Sequence, residues 1–206
     1  EPLFRNRRDV DPEYFNLIAF FLNDFRDVYH LPTGAHDLHL LETGHLSDDE
    51  FFDRMCRRYM EAGHDPVDPR VAQRVIFGRG FVASTAMIDA VRQVKGAGYR
   101  TALLTNVSRD GESLWRPLIP VDDLFDVVVD SSRVGLRKPD PAIYHLTCER
   151  LGVRPAECLF IDDLECNVDA ARELGMEAIQ CLDPVEIADH VVRRLVGHAA
   201  AAEAEE

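Results

Sequence analysis

From residue 101 onward, four short apolar runs alternate with helical patterns, and this alternation limits the chain to few folds. The runs are TALLT (101–105), FDVVVD (125–130), CLFID (158–162) and EAIQCL (177–182). Before the first, Met87, Ile88, Val91 and Val94 form a helical stripe that ends near Gly96 and Gly98. PAIYHLTCERLG (141–152) reads as a helix capped by Asp140 with Pro141 at its first position. Residues 166–174 read as a helix stopped at Gly175, and Asp183-Pro184 opens a last helix to about Val196. Short apolar strands separated by helices predict a parallel sheet covered on both faces. In such sheets ligands bind beyond the carboxyl ends of the strands, where Thr105-Asn106 and Asp162-Asp163 fall.

Residues 1–85 follow a different grammar. DPEYFNLIAFFLNDF starts as a helix, with Asp11 as cap and Pro12 at the first position. SDDEFFDRMCRRYMEAG carries a capping box, Ser47 with Glu50, and then apolar pairs at helical spacing. No stretch here reads as a parallel strand. The expected organisation is a helical unit over 1–85, an α/β core over 86–197 and a disordered Ala/Glu tail over 198–206. GRGFVAST, near 78–86, supplies two glycines and small polar residues for a hinge.

The net charge of −14 argues against a nucleic-acid binder, which would show a basic face. No apolar run approaches the roughly 18 residues that span a bilayer, and no secretory signal opens the sequence. Five widely spaced cysteines, Cys56, Cys148, Cys158, Cys166 and Cys181, form no C-x-x-C and read as reduced thiols in a cytoplasmic protein. The first residue is Glu rather than Met, so the chain reads as a processed or partial piece.

Three pieces carry candidate chemistry. Thr105-Asn106 offers a hydroxyl and an amide at a strand end, suited to anionic oxygens, although an ordinary strand exit looks the same. Lys138, with Arg133 and Arg137 nearby, supplies a compact positive charge before a Pro-rich helix start; the plainer reading is a solvated basic patch. Asp162 and Asp163 stand side by side after a buried strand. One Asp could serve a helix N-terminus. Two favour a hard cation such as Mg²⁺, which takes carboxylate oxygens and a substrate phosphate.

Taken in order on this fold, the pieces resemble the haloacid dehalogenase-like hydrolase superfamily. The match runs from about residue 86 to 183: T-N after a strand, R-K-P-D-P-x-I-Y, and F-I-D-D-x-x-x-N-x-x-x-A-x-x-L-G. The branch most similar holds the phosphatase domain of soluble epoxide hydrolase and small sugar-phosphate phosphatases. The first half resembles that branch's helical cap, with LETGHLSDDEF (41–51) as part of it. The resemblance implies an α/β fold, a Rossmann-like parallel sheet with a helical cap. It implies a Mg²⁺-dependent phosphatase acting on a small phosphorylated metabolite through an aspartyl-phosphate. Thr105, Asn106 and Lys138 would then be phosphate-binding, Lys138 and Asp162 catalytic, and Asp163 a metal ligand with Asp162 assisting it directly or through water. The adjacent acids disfavour a dehalogenase, which uses no Mg²⁺.

One expected piece is not found. The family's first motif is an apolar strand ending in D-x-D-G or D-x-G-G, whose first Asp is the nucleophile. The early D-x-D is Asp9-Val10-Asp11; it follows EPLFRNRR, which is no buried strand, and precedes Pro12 where the family has Gly. The preferred reading is that the first core strand and its nucleophile are absent, so that the chain as given is inactive. The alternative is a non-catalytic anion-binding or interaction module on the same fold. Other features weigh less. His36-x-x-His39, with His30 and His45, has a metal-like spacing but reads better as surface or cap-pocket histidines. Trp115 reads as packing a loop onto the core, and Arg5, Arg7 and Arg8 as a solvated run.

Overall fold

The computed structural model describes residues 14–25, 28–77 and 82–203, with the backbone alone for His30 and residues 198–203. The features assigned to Arg5, Arg7, Arg8, Asp9, Asp11 and Pro12, and the GRGF part of the GRGFVAST hinge, lie outside the described residues. The N-terminal helices are α1 (Phe15–Phe25), α2 (Asp37–Glu42), α3 (Asp48–Glu61) and α4 (Pro69–Phe77), with a 3-10 turn at Val28–His30. Ser47 caps α3: its hydroxyl accepts from Glu50 N–H at 3.2 Å, while the Glu50 carboxylate accepts from Ser47 N–H at 3.0 Å. Replacing Ser47 by Ala removes this cap and should cost about 1 kcal/mol, read as a lower urea midpoint. Phe51, Phe52, Met55, Cys56 and Tyr59 repeat along one face of α3 and pack with Leu17, Phe21, Leu41 and Ile76 into one core.

The second half alternates strand and helix. α5 (Thr85–Gly96) leads to β1 (Ala102–Thr105), followed by the short α6 (Glu112–Trp115) and α7 (Val121–Leu124). β2 (Val127–Asp130), α8 (Ser131–Val134), α9 (Pro141–Leu151) and β3 (Leu159–Asp162) follow, then α10 (Glu165–Glu173), β4 (Glu177–Gln180) and α11 (Pro184–Glu203). The helix signals work as read. The Asp140 carboxylate accepts from Ala142 N–H at 2.9 Å, and Gly152 closes α9 in the left-handed region with φ of 71°. α11 runs past the end near Val196 that the sequence suggests, because nothing in its Ala/Glu continuation breaks a helix. Val129, Ile143, Tyr144, Val168, Ala171 and Ala178 form the core between strands and helices.

The strands do not form one sheet. β1 pairs with β2 in parallel, Ala102 opposite Val127 through Thr105 opposite Asp130. β3 pairs with β4 in parallel, Leu159 opposite Glu177 through Asp162 opposite Gln180. Among the described residues no ladder joins the two pairs. All four residues of β1, and three of the four in β3, are only half-buried, unusual for the middle of a parallel sheet. Among the described residues each pair therefore keeps an unpaired edge.

Gly44 fixes where the helical half meets the strands. Its φ is +72°, and a Cβ there would lie 2.4 Å from the Ser132 carbonyl oxygen and 2.7 Å from Arg109 Nε. Gly44→Ala should thus cost about 1–3 kcal/mol through backbone strain alone, with the clash adding to it; a urea midpoint unchanged from wild type would contradict this contact.

Candidate active site

The carboxyl ends of β1 and β3 present Thr105 and Asp162, and the loop after α8 brings Lys138 between them. The Lys138 ammonium donates to Asp162 Oδ2 at 2.7 Å and to the Leu104 carbonyl at 3.0 Å. It therefore spans from one strand pair to the other. The other Asp162 oxygen, Oδ1, accepts from Leu164 N–H at 2.9 Å and Asn167 Nδ2 at 2.8 Å. Both side chains are buried, so the pair gains from weak screening, and Asp162 has the further donors that a buried carboxylate needs.

Asn106 sets the position of Lys138. Its Oδ1 accepts from the Lys138 N–H at 2.9 Å, and its Nδ2 donates to the Lys138 carbonyl at 3.0 Å. One side-chain amide thus satisfies both backbone groups of the lysine, as a neighbouring strand would. The same Nδ2 lies 3.5 Å from Glu42 Oε2 of α2, and that oxygen accepts from Arg137 Nε at 2.7 Å. Burial pushes the Glu42 carboxyl up, and the Arg137 charge opposes that rise. A continuous polar chain therefore runs from Asp162 through Lys138, Asn106 and Glu42 to Arg137.

The structure brings Asn106, Lys138 and Asp162 into direct contact and places Thr105 beside them, one residue before Asn106. Among the described residues the Thr105 hydroxyl has no hydrogen bond. Asp163 is exposed; its carbonyl accepts from Gln180 Nε2 at 3.0 Å, and its carboxylate has no described partner. Asp162 is paired with the Lys138 ammonium, and Asp163 stands in solvent. Among the described residues no cluster of three or more His, Cys, Asp and Glu could hold a metal ion. Asp163 is the free carboxylate at this end, whereas both Asp162 oxygens are engaged. These residues therefore fit a magnesium site only if further carboxylates join Asp163.

Glu42, Asn167 and Arg137 were not assigned roles from sequence. Glu42 follows Leu38 and Leu41 on a buried helix face, which is the signal that could have found it. The histidines serve structure. His39 is fully buried with Nε2 2.8 Å from the Val28 carbonyl and Nδ1 3.1 Å from that of Pro32, and burial lowers its pKa. His36 Nδ1 accepts from Leu38 N–H at 3.1 Å, and His45 Nδ1 lies 2.9 Å from the Thr43 hydroxyl. Trp115 packs with Val107 and Val121. A cavity of about 390 Å³ lined by Lys95, Tyr99, Arg100 and Asp126 opens at the amino ends of β1 and β2, away from the candidate residues. No described helix is long and apolar enough to cross a membrane.

Comparison with known proteins agrees with this geometry. The chain is 40% identical over 114 residues to acyl-CoA dehydrogenase family member 10 of Mus musculus, covering 54% of this chain and 10% of that one. It is 28% identical over 138 residues to bifunctional epoxide hydrolase 2 of Rattus norvegicus, covering 64% and 25%. It is 33% identical over 149 residues to phosphatase MT3486 of Mycobacterium tuberculosis (strain CDC 1551 / Oshkosh), covering 71% and 66%. The chain thus spans a quarter or less of the first two relatives. A HAD family enzyme from Bacteroides thetaiotaomicron, solved with magnesium and inorganic phosphate, shares the fold with a TM-score of 0.57 at 24% identity, over 83% of this chain and 86% of that one. The model of the haloacid dehalogenase-like hydrolase family matches residues 20–175, and the chain belongs to that family.

Proposed function

We propose that this chain is the larger part of a magnesium-dependent phosphatase that acts on small phosphomonoesters through an aspartyl-phosphate, and that it is inactive as given. The observation that carries the reading is the Lys138 ammonium, held between the Leu104 carbonyl and Asp162 at the mouth between two unpaired strand edges. A relative named as a phosphatase and a neighbour solved with magnesium and phosphate support it. In this reading residues 1–85 act as the cap over the strand ends of 86–197, with 198–206 as a tail, and the protein works on a phosphorylated metabolite in the cytoplasm.

Each residue then has a defined task. Lys138 offsets negative charge on the nucleophile and the phosphoryl oxygens. The unengaged Thr105 hydroxyl donates to one of those oxygens. Asn106, whose amide is spent on the Lys138 backbone, acts by holding the lysine in place. Asp162 fixes the ammonium, and Asn167 with the Leu164 N–H fixes Asp162. Asp163 would hold magnesium together with carboxylates of the missing first strand; when bound, the ion neutralises charge on the transferring group. The nucleophile belongs to that strand too, because the sequence contains no D-x-D-G.

The test is to extend the N-terminus with an apolar strand ending in D-x-D-G. The extended protein should hydrolyse an aryl phosphate, and a chelator should stop it. A stably folded extended protein with no turnover would overturn the reading. Phosphate binding without turnover would instead favour the anion-binding module, which the present set of donors without an acceptor also allows.

A further inference from the structure

Arg137 is the largest fully buried side chain, and its bonds are incomplete. Nε donates to Glu42, while Nη1 and Nη2 are sealed from solvent and have no partner among the described residues. The guanidinium carbon lies 5.2 Å from the centre of the Tyr29 ring. Burying two guanidinium nitrogens unpaired is costly, and such donors mark a place that an acceptor fills. The Nη1–Nη2 edge is the planar fork that receives a carboxylate through two parallel hydrogen bonds. The Tyr29 ring lies against the guanidinium as a cation–π partner.

The position of this fork suggests what would carry the anion. Glu42 Oε2 contacts both Arg137 Nε and Asn106 Nδ2, and Asn106 holds the Lys138 backbone, so the fork ends the polar chain that leads to the Lys138 ammonium. We propose that Arg137 is a specificity determinant that binds the carboxylate of the substrate, which makes the substrate class small phosphorylated carboxylic acids. The proposal rests on the phosphatase reading for the phosphate end alone. The carboxylate reaches the fork when Tyr29 and Glu42, on the N-terminal helical half, part from the Arg137 loop.

The experiment compares 2-phosphoglycolate with ethyl phosphate by titration calorimetry on the full chain, since the two differ by a carboxylate in place of a methyl group. Wild type should bind 2-phosphoglycolate at least about tenfold more tightly, the worth of a charge-assisted pair. Arg137→Met alone leaves Glu42 uncompensated, so the variant tested is Arg137→Met with Glu42→Gln, and its preference should fall to within about twofold. A wild-type preference already that small, or a preference that survives in the double variant, overturns the proposal. If neither phosphate binds, glycolate decides the question of Arg137, and the phosphatase reading is decided by the extended protein. Glycolate binding that the double variant loses supports the proposal, and no glycolate binding overturns it.

Discussion

Replacing Lys138 by methionine is expected to destabilise the chain by about 3–5 kcal/mol, the usual consequence of leaving one member of a buried ion pair alone. The lysine side chain is 10% exposed and that of Asp162 is 6% exposed, so water screens little of the lost interaction. Methionine matches the lysine stem in length, which confines the change to the charge. Asp162 would keep its two donors at Oδ1 but lose its counter-charge, and the Leu104 carbonyl would lose its partner. Adding Asp162→Asn to Lys138→Met removes the stranded charge and should recover all but about 1–2 kcal/mol. Urea unfolding of the two variants checks this. A double variant no more stable than Lys138→Met would mean that the pair does not act as a unit.

Asp163→Asn is expected to show the opposite profile. Asp163 is exposed and its carboxylate has no described partner, so stability should change by less than about 0.5 kcal/mol. In the protein extended by the D-x-D-G strand, however, the same substitution should lower aryl phosphate turnover by about a hundredfold or more, because a metal's charge stabilisation is worth several kcal/mol. The magnesium concentration for half-maximal rate should rise with it, since one hard oxygen donor is replaced by an amide. Activity and stability thus separate at Asp163 and combine at Lys138. Turnover unaffected by Asp163→Asn would remove the acid from the metal site and the magnesium dependence with it.

The strands and long helices were legible in the sequence because local chemistry marks their ends. Pro141 after Asp140 starts α9, Gly152 stops it, and the Ser47–Glu50 box starts α3. Thr105-Asn106 and Asp162-Asp163 could be placed beyond the carboxyl ends of the strands because strand direction in a βα alternation is fixed, whereas Lys138, between α8 and α9, could not be placed that way. Other features were not local. α6 and α7 are single turns that pack through the Trp115 and Val121 cluster, and α8 is a single turn capped by Asp130 with Val134 against the main core; none of the three is long enough to show periodicity. Arg137 and Glu42 are 95 residues apart in sequence, and Arg137 reads alone as part of a solvated basic patch. Only the fold shows that they are buried against each other. The same holds for the ion pair at the strand ends: only the fold shows that the Lys138 ammonium lies against Asp162 while Asp163 stays exposed.

The central claim is that β1 and β3 flank the place of one parallel strand, with Lys138 at its mouth. Amide hydrogen exchange tests it most directly, by comparing the chain as given with the extended protein. Amides of 102–105 and 159–162 that are not bonded to β2 or β4 should exchange quickly in the first and become protected in the second. Equal exchange at these amides in the two proteins, with the extended protein folded, would contradict the claim.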